Sequence, residues 1–472
     1  MRRVTWTLGV CALVFAGAQA SAETLADTLV SAYNNSNLLD QNRAVLRAAD
    51  EDVAVTVAAL RPIVQYSASR QTTWDLDTEV TTDVFGFQSR ANSQSIINTL
   101  ELTASWSIYA FGRNRLSVEA AKQAVLATRE SLASQEQSVL FAAVQAFTEV
   151  RRAQSFVDLR RNNVRVLQEE VRAARDRLAV GDVTRTDVAQ AEARLAEAEA
   201  NLEAAQGDLT EARESYRLAV GRYPGNLEAP PPFPATAQTL DAARAIALVQ
   251  HPEIRAAQFN VKTQEVNVEI AKRAALPSLS ASGAIGYSDQ RSIDDDLEPQ
   301  ASLGLGITGP IYSGGSINAQ YRRAIAVLDQ NKSNLLQTTL NIEERLGFAW
   351  SQLRVAQARL VATARQIEAN QIAFEGTKEE QTLGERTTLD VLNAEQELLD
   401  SQGDRIDALR IEQDAFYFLL STMGLLTASN LGLDVLTYDP EAYYDAVRTA
   451  PPGITSQQGE QIDRVLQAIG RQ

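Results

Sequence analysis

The chain carries the same text twice. Gly181, Asp187, Val188, Ala191 and Glu192 return as Gly384, Asp390, Val391, Ala394 and Glu395, every member displaced by 203 residues. Ile108, Tyr109 and Gly112 return at the same displacement as Ile311, Tyr312 and Gly315. Upstream, Pro62 with Ala59 and Leu60 before it aligns with Pro277, preceded by Ala275 and Leu276, at a displacement of 215. The 12-residue difference falls between the two anchors of each half, so the first half has the longer loop there. A duplication of this length demands two structurally equivalent units, which rules out most single-core folds. The two copies occupy 23–229 and 241–430, and the run Pro230-Pro231-Pro232-Phe233-Pro234 makes 230–240 a stiff linker between them. Residues 431–472 form a C-terminal segment and tail, polar beyond Pro451 and expected to be disordered there.

Each half has one order of elements. A helical stretch, about 24–59 or 241–275, is stopped by Pro62 or Pro277. Two short alternating segments follow, within 63–109 and within 278–310. Leu100, Leu102, Ala104, Trp106 and Ile108 alternate with Thr99, Glu101, Thr103, Ser105 and Ser107, a period of two. Val64, Tyr66 and Ala68 repeat the pattern more weakly, as do Leu279, Ala281, Gly283, Ile285 and Tyr287, and Leu303, Leu305 and Ile307. Polar loops join each pair, at about 75–95 and 288–300, and the second loop carries Asp294-Asp295-Asp296, read as solvated.

Then comes a stretch of good helix formers without proline or glycine, 113–179, roughly 100 Å long as one helix. Its copy, 316–383, contains Gly347 and Gly376, expected as interruptions. Thr184 and Thr387 stand three residues before Asp187 and Asp390, the spacing of a helix cap, so a second helix runs back over 185–220 or 388–427. The long helical hairpins thus span about 113–220 and 315–427, with the repeated motif at their tips.

Arg2 and Arg3, the apolar run Leu8–Ala18 and the small residues Ala20-Ser21-Ala22 read as a secretory signal peptide over 1–22. The one cysteine, Cys11, falls inside it, so the mature chain has neither disulfide, thiolate metal site nor cysteine nucleophile. The formal charge is -16, and loss of Arg2 and Arg3 makes it more negative, which disfavours nucleic acid as a partner. The one histidine, His251, precedes Pro252 and reads as a turn residue. With no phosphate-binding loop either, no catalytic residue, metal site or cofactor is indicated, and an enzyme is disfavoured. No later segment has the apolar length of a membrane-spanning helix.

The alternating segments match membrane β-strands in length and pattern. Four strands cannot close a barrel, and an open sheet in lipid leaves edge groups unpaired at several kcal/mol each. A helical hairpin of roughly 100 Å has too little core of its own and needs neighbouring helices. The chain must therefore assemble with copies of itself.

Four stretches resemble the TolC family of outer-membrane efflux proteins: Arg177 to Val188, Leu276-Pro277-Ser278-Leu279, Pro310-Ile311-Tyr312-Ser313-Gly314-Gly315, and Leu383 to Leu392. The resemblance covers about 24–435. It implies a mainly helical homotrimer with a twelve-stranded β-barrel in the outer membrane of a Gram-negative bacterium, standing on an α-barrel tunnel in the periplasm, with a belt at about 223–240 and 428–448. It implies outer-membrane lipid, a periplasmic adaptor and an inner-membrane pump as partners, with passive conduction of small molecules or secreted proteins as the function. Residue by residue, it places Asp390 at the closed aperture, where Asn393 takes the place of a second acidic ring. Asp187 and Arg386 fall on positions that latch neighbouring helix pairs, and Gln381 takes the place of an aromatic member. Val180, Gly181, Thr184, Leu383, Gly384 and Thr387 fall where adaptor tips dock. The alternative readings are a periplasmic coiled-coil tether or scaffold without a pore, and an adaptor, which would have a single hairpin with β-rich modules.

Overall fold

A computed structural model describes residues 23–74, 79–82, 84–86, 88–91, 94–234, 236–291, 298–450 and 464. The signal peptide with Cys11, Asp294-Asp295-Asp296 and most of the tail beyond 451 lie outside the described residues.

The first half contains α1 (Leu25–Asn35), α2 (Asn37–Ala58), β1 (Ile63–Trp74), β2 (Glu79–Thr82), β3 (Gln88–Ala91), β4 (Gln94–Tyr109), α3 (Arg113–Ala179) and α4 (Arg185–Val220). The second contains α5 (Leu240–Gln250), α6 (Pro252–Arg273), β5 (Ser278–Arg291), β6 (Glu298–Thr308), α7 (Ser316–Thr382) and α8 (Thr388–Thr422), followed by α9 (Pro440–Val447). Helices α1 and α5 are both 11 residues long, α2 and α6 both 22, α3 and α7 both 67. The displacement of 215 holds through the start of the strands and that of 203 from the long helices onward. The additional β2–β3 hairpin lies in the longer loop of the first half.

The expected single helix at the start of each half is broken, at Ser36 and at His251. Both residues leave the helical region, with φ/ψ of -76/106 and -66/123, and both cap the next helix. Ser36 Oγ accepts from Leu39 N at 3.3 Å, and His251 Nδ1 accepts from Glu253 N at 3.2 Å. Pro252 at the first helical position enforces the second break, since it excludes its predecessor from the α region. The expected interruptions at Gly347 and Gly376 do not occur, because α7 runs through both. A helical glycine costs only about 1 kcal/mol relative to alanine. Helix α8 ends at Thr422, short of 427, where Gly424 turns left-handed at φ 80. A Cβ there would stand 2.8 Å from His251 Cα, so this turn needs glycine for space as well as for conformation.

The four main strands form one antiparallel sheet in the order β1-β4-β5-β6, which leaves β1 and β6 as open edges. The main core lies where α1 and the middle of α3 meet the C-terminal ends of α4 and α8. Tyr216 and Phe147 are fully buried in it, and Phe233 of the Pro-rich linker stacks on Phe416 at 4.1 Å. A smaller core in the second half repeats it, with Leu419 and Met423 in place of Tyr216 and Val220. Helix α9 seats Tyr443 and Val447 against Ala54 of α2. Among the described residues no helix is long and apolar enough to cross a membrane.

Candidate functional site

Strand register decides which side chains share a face. Tyr66 pairs with Leu102, Leu102 with Ile285, and Ile285 with Ala301. The neighbouring row joins Val64, Ala104, Gly283 and Leu303. A third row joins Trp106, Ala281 and Leu305. One face is thus apolar across all four strands, and Leu303 of edge strand β6 is 90% exposed on it. The opposite face joins Gln65, Thr103, Ala284 and Ser302, then Ser67, Glu101, Gly286 and Gln300. A Cβ at Gly286 would lie 2.8 Å from Leu100 O and 3.4 Å from Glu101 Cβ, so glycine there makes room for the backbone of β4. From Leu100 to Ile108 the apolar face extends roughly 27 Å along β4, the scale of a bilayer's hydrocarbon layer once the strand tilts. Trp106 closes its inner end, its Nε1 donating to Leu60 O at 2.9 Å.

At the opposite pole are the hairpin tips. Gly181 and Gly384 turn left-handed at φ 79 and 80, and no atom lies within 4 Å of an added Cβ at either, so backbone conformation alone requires glycine there. Thr184 and Thr387 cap α4 and α8 through matching capping boxes. Asp187 Oδ2 accepts from Thr184 N and Oγ1, both at 2.8 Å. Asp390 Oδ2 accepts from Thr387 N at 2.9 Å and Oγ1 at 2.8 Å. The backbone N–H bond, reinforced by the hydroxyl, holds both carboxyls below their usual range, so both stay ionised. Asn393 is exposed one turn beyond Asp390. Arg386 pairs with Glu380 at 2.9 Å inside its own hairpin. Gln381 Nε2 donates to Thr388 Oγ1 at 3.2 Å, joining the two arms of the turn. Val180 is 80% and Leu383 76% exposed, an apolar pair presented at the two tips. Within one chain the residues matched to a latch, Asp187 and Arg386, are each tied into their own hairpin and do not meet.

Between the poles the two hairpins meet along a polar seam, where α8 lies on α3. Arg152 Nε bonds Asp407 at 2.5 Å and its NH1 bonds Glu149 at 2.9 Å. Thr148 Oγ1 donates to Asp414 at 2.7 Å, and Arg410 holds Asp414 at 2.8 Å. Burial pushes Asp414 up to about 6 against those two partners. Lower down, Asn163 Nδ2 donates to the buried Glu395 at 3.2 Å, and Lys378 of α7 pairs with Glu170 at 2.8 Å. Sequence reasoning passed over this seam. The seven-residue spacing of Asp407 and Asp414 was a signal for it, since it puts both on one helix face. The equivalent face of α7 is open among the described residues: Ser351, Val355 and Gln366, the counterparts of Thr148, Arg152 and Asn163, are exposed.

The comparisons agree with this geometry. A family model described as "Outer membrane efflux protein" matches residues 28–222 and again 243–424, once in each half. The chain is 35% identical to Outer membrane efflux protein BepC of Brucella suis over 449 residues, 94% of this chain and 95% of that one. It is 27% identical to Alkaline protease secretion protein AprF of Pseudomonas aeruginosa over 395 residues, 80% of this chain and 79% of that one. Among solved structures, CusC superposes with a TM-score of 0.73 at 19% identity, covering 85% of this chain and 92% of its own. The CmeC outer membrane channel of Campylobacter jejuni gives 0.71 at 18% identity, covering 91% and 90%.

Proposed function

Since the chain belongs to the outer membrane efflux protein family, and so to a family of outer-membrane channels, we propose that three copies of it close into one passive conduit across the periplasm and the outer membrane. The observation that carries this reading is the uncovered face of α7. Inside the chain, α3 is covered by α8. The duplication turns α3 into α7 and α8 into α4, so α7 is left for α4 of another copy. Displacing the contacts of the internal seam by 203 pairs Ser351 with Glu211, Val355 with Ala204, and Gln366 with Glu192 across that junction. All six residues are exposed in one chain. The open edges β1 and β6 call for the same neighbour, and in lipid they cannot stay unpaired. Three copies supply twelve strands, enough to leave a hole where eight would be filled by side chains.

In that assembly the apolar strand face meets lipid and the Ser/Thr/Gly face lines the pore. Three copies of Asp390 form the charged ring of the aperture. Asn393 adds no second ring, Asp187, Arg386 and Gln381 hold neighbouring tips together, and Val180, Leu383 and the two capped turns receive a periplasmic adaptor fed by an inner-membrane pump. The relatives' names cover efflux and protease secretion. The higher identity to the efflux protein makes efflux the first reading and type I secretion the second. Mass measurement in detergent tests the assembly, with a three-chain particle expected and a stable monomer refuting it. Conductance in a planar bilayer separates a channel from a tether.

A further inference from the structure

The last member of the duplicated motif has two fates. Glu192 and Glu395 hold the same repeat position. Within one chain Glu192 is exposed, and its carboxylate has an ion-pair partner, Arg175 of α3 at 2.6 Å. Glu395 is 8% exposed, and its Oε1 accepts from Asn163 Nδ2 while Oε2 is buried without a hydrogen-bond partner. Val164 and Leu167 of α3, Ala198 of α4 and Leu392 of α8 pack into one apolar cluster there. Glu395 lines a cleft of about 20 Å³ between the hairpins, room for roughly one water. Charged groups face it from each packed element: Arg160 and Glu170 of α3, Arg194 and Glu197 of α4, and Lys378 of α7. Arg194 and Glu197 pair with each other at 3.1 Å, and Lys378 is taken by Glu170. Among the described residues no ion pair reaches Glu395.

A carboxyl with one neutral donor, one orphaned oxygen and no ion pair, set against an apolar cluster, is at ease there only while it carries a proton. Once ionised it requires more hydration than the one water the cleft can hold, and more enters only when the helices part. We propose that Glu395 is a proton-operated lock on the seam between the two hairpins: protonated, it holds α8 against α3 and keeps the tips shut, and ionised, it loosens them. The inference rests on the channel reading, for which the tips are the gate. Burial pushes Glu395 up to about 7, with Glu170 adding to the rise and Lys378 and Asn163 opposing it. In a parted seam the carboxyl returns toward its ordinary 4.5. The closed seam therefore binds the proton more tightly and is favoured at low pH. That preference is lost as pH rises from the ordinary value to about 7, by at most about tenfold per pH unit per copy, and above about 7 the response is flat. Asp414, higher on the same seam, is also pushed up, to about 6, so its response overlaps that of Glu395, and the Glu395→Gln comparison tells the two apart.

The test is open probability of the full chain in planar bilayers between about pH 5 and 8. For the parent chain a rise of up to about tenfold per copy from pH 6 to 7 and a plateau above are expected. Glu395→Gln should lose most of that rise. Asp241→Asn, at an exposed acid outside both seams, should follow the parent, and Lys378→Met should move the rise to higher pH, since it removes a cation that favours the ionised form. An unchanged rise in Glu395→Gln, or its loss in Asp241→Asn, overturns the lock. A parent that conducts at no pH defeats the channel reading instead. Amide hydrogen exchange in α8 near residue 395, compared at about pH 6 and 7.5, then decides the lock by itself: faster exchange at the higher pH, absent in Glu395→Gln, supports it, and equal exchange overturns it.

Discussion

Asp50 shows how one buried group shapes stability. It is fully buried between α2 and its neighbours, and neither carboxylate oxygen has a hydrogen-bond partner. Burial pushes it up to about 7 against the opposing charge of Arg129. Arg129 is itself engaged elsewhere, by Glu441 at 3.4 Å and Pro440 O at 3.3 Å. The folded protein thus holds this proton more tightly than the unfolded chain, and the benefit is lost as pH rises from the ordinary carboxyl value toward 7. Asp50→Asn should therefore raise stability above pH 7 by roughly 1–3 kcal/mol and change little near pH 4. Thermal unfolding at the two pH values checks this, and equal effects at both would refute it. His251 is the converse case: burial lowers it to about 4, so it is neutral and its Nδ1 can accept the capping N–H. Its place as a turn residue was legible from Pro252 alone. The burial of Asp50, Glu395 and Asp414 was not, because local sequence does not say which neighbour covers a helix face.

At the scale of elements, periodicity spoke clearly wherever one partner decides it. Alternation along 100–108 marks a strand with two unlike faces, and the 113–179 run without breakers forms one helix. It was less informative where a cap competes with a favourable run, as at Ser36, whose hydroxyl outweighs continuation of the helix, and where a glycine is outvoted by a long helix, as at Gly347. Helix α9, only eight residues long, is placed by what it lies against, Ala54 of α2. The cross-strand rows make a sharp prediction. Leu305→Arg on the apolar face should cost roughly 2–4 kcal/mol per chain near the midplane and block assembly. Thr103→Arg on the opposite face should leave the oligomer intact. Equal yields of assembled protein from both would mean that the alternation does not separate a lipid face from a pore face.

For the whole molecule, the fold was readable because it is duplicated: two weak signals at a constant displacement make one strong signal. The tip residues were readable as turns and caps, and the structure places them there; a latch across chains is part of the proposed assembly. Asp390 is held ionised by its cap, so a ring of three should attract cations at every pH well above that lowered value. Asp390→Ala should reduce cation preference and block by multivalent cations, read as a shift in reversal potential. An unchanged potential would place the aperture elsewhere.

The equal length of α3 and α7, 67 residues each, has a mechanical consequence. Both hairpins start from one sheet and reach the same depth, so the six tips of a three-chain assembly lie in one plane, like the feet of a level stand. One residue added to a single long helix would lower its tip by about 1.5 Å and turn it by about 100°. Evolution can therefore lengthen such a tube only in coupled steps, by whole heptads inserted in both arms of both hairpins, and the span from membrane to tip is inherited as one indivisible dimension.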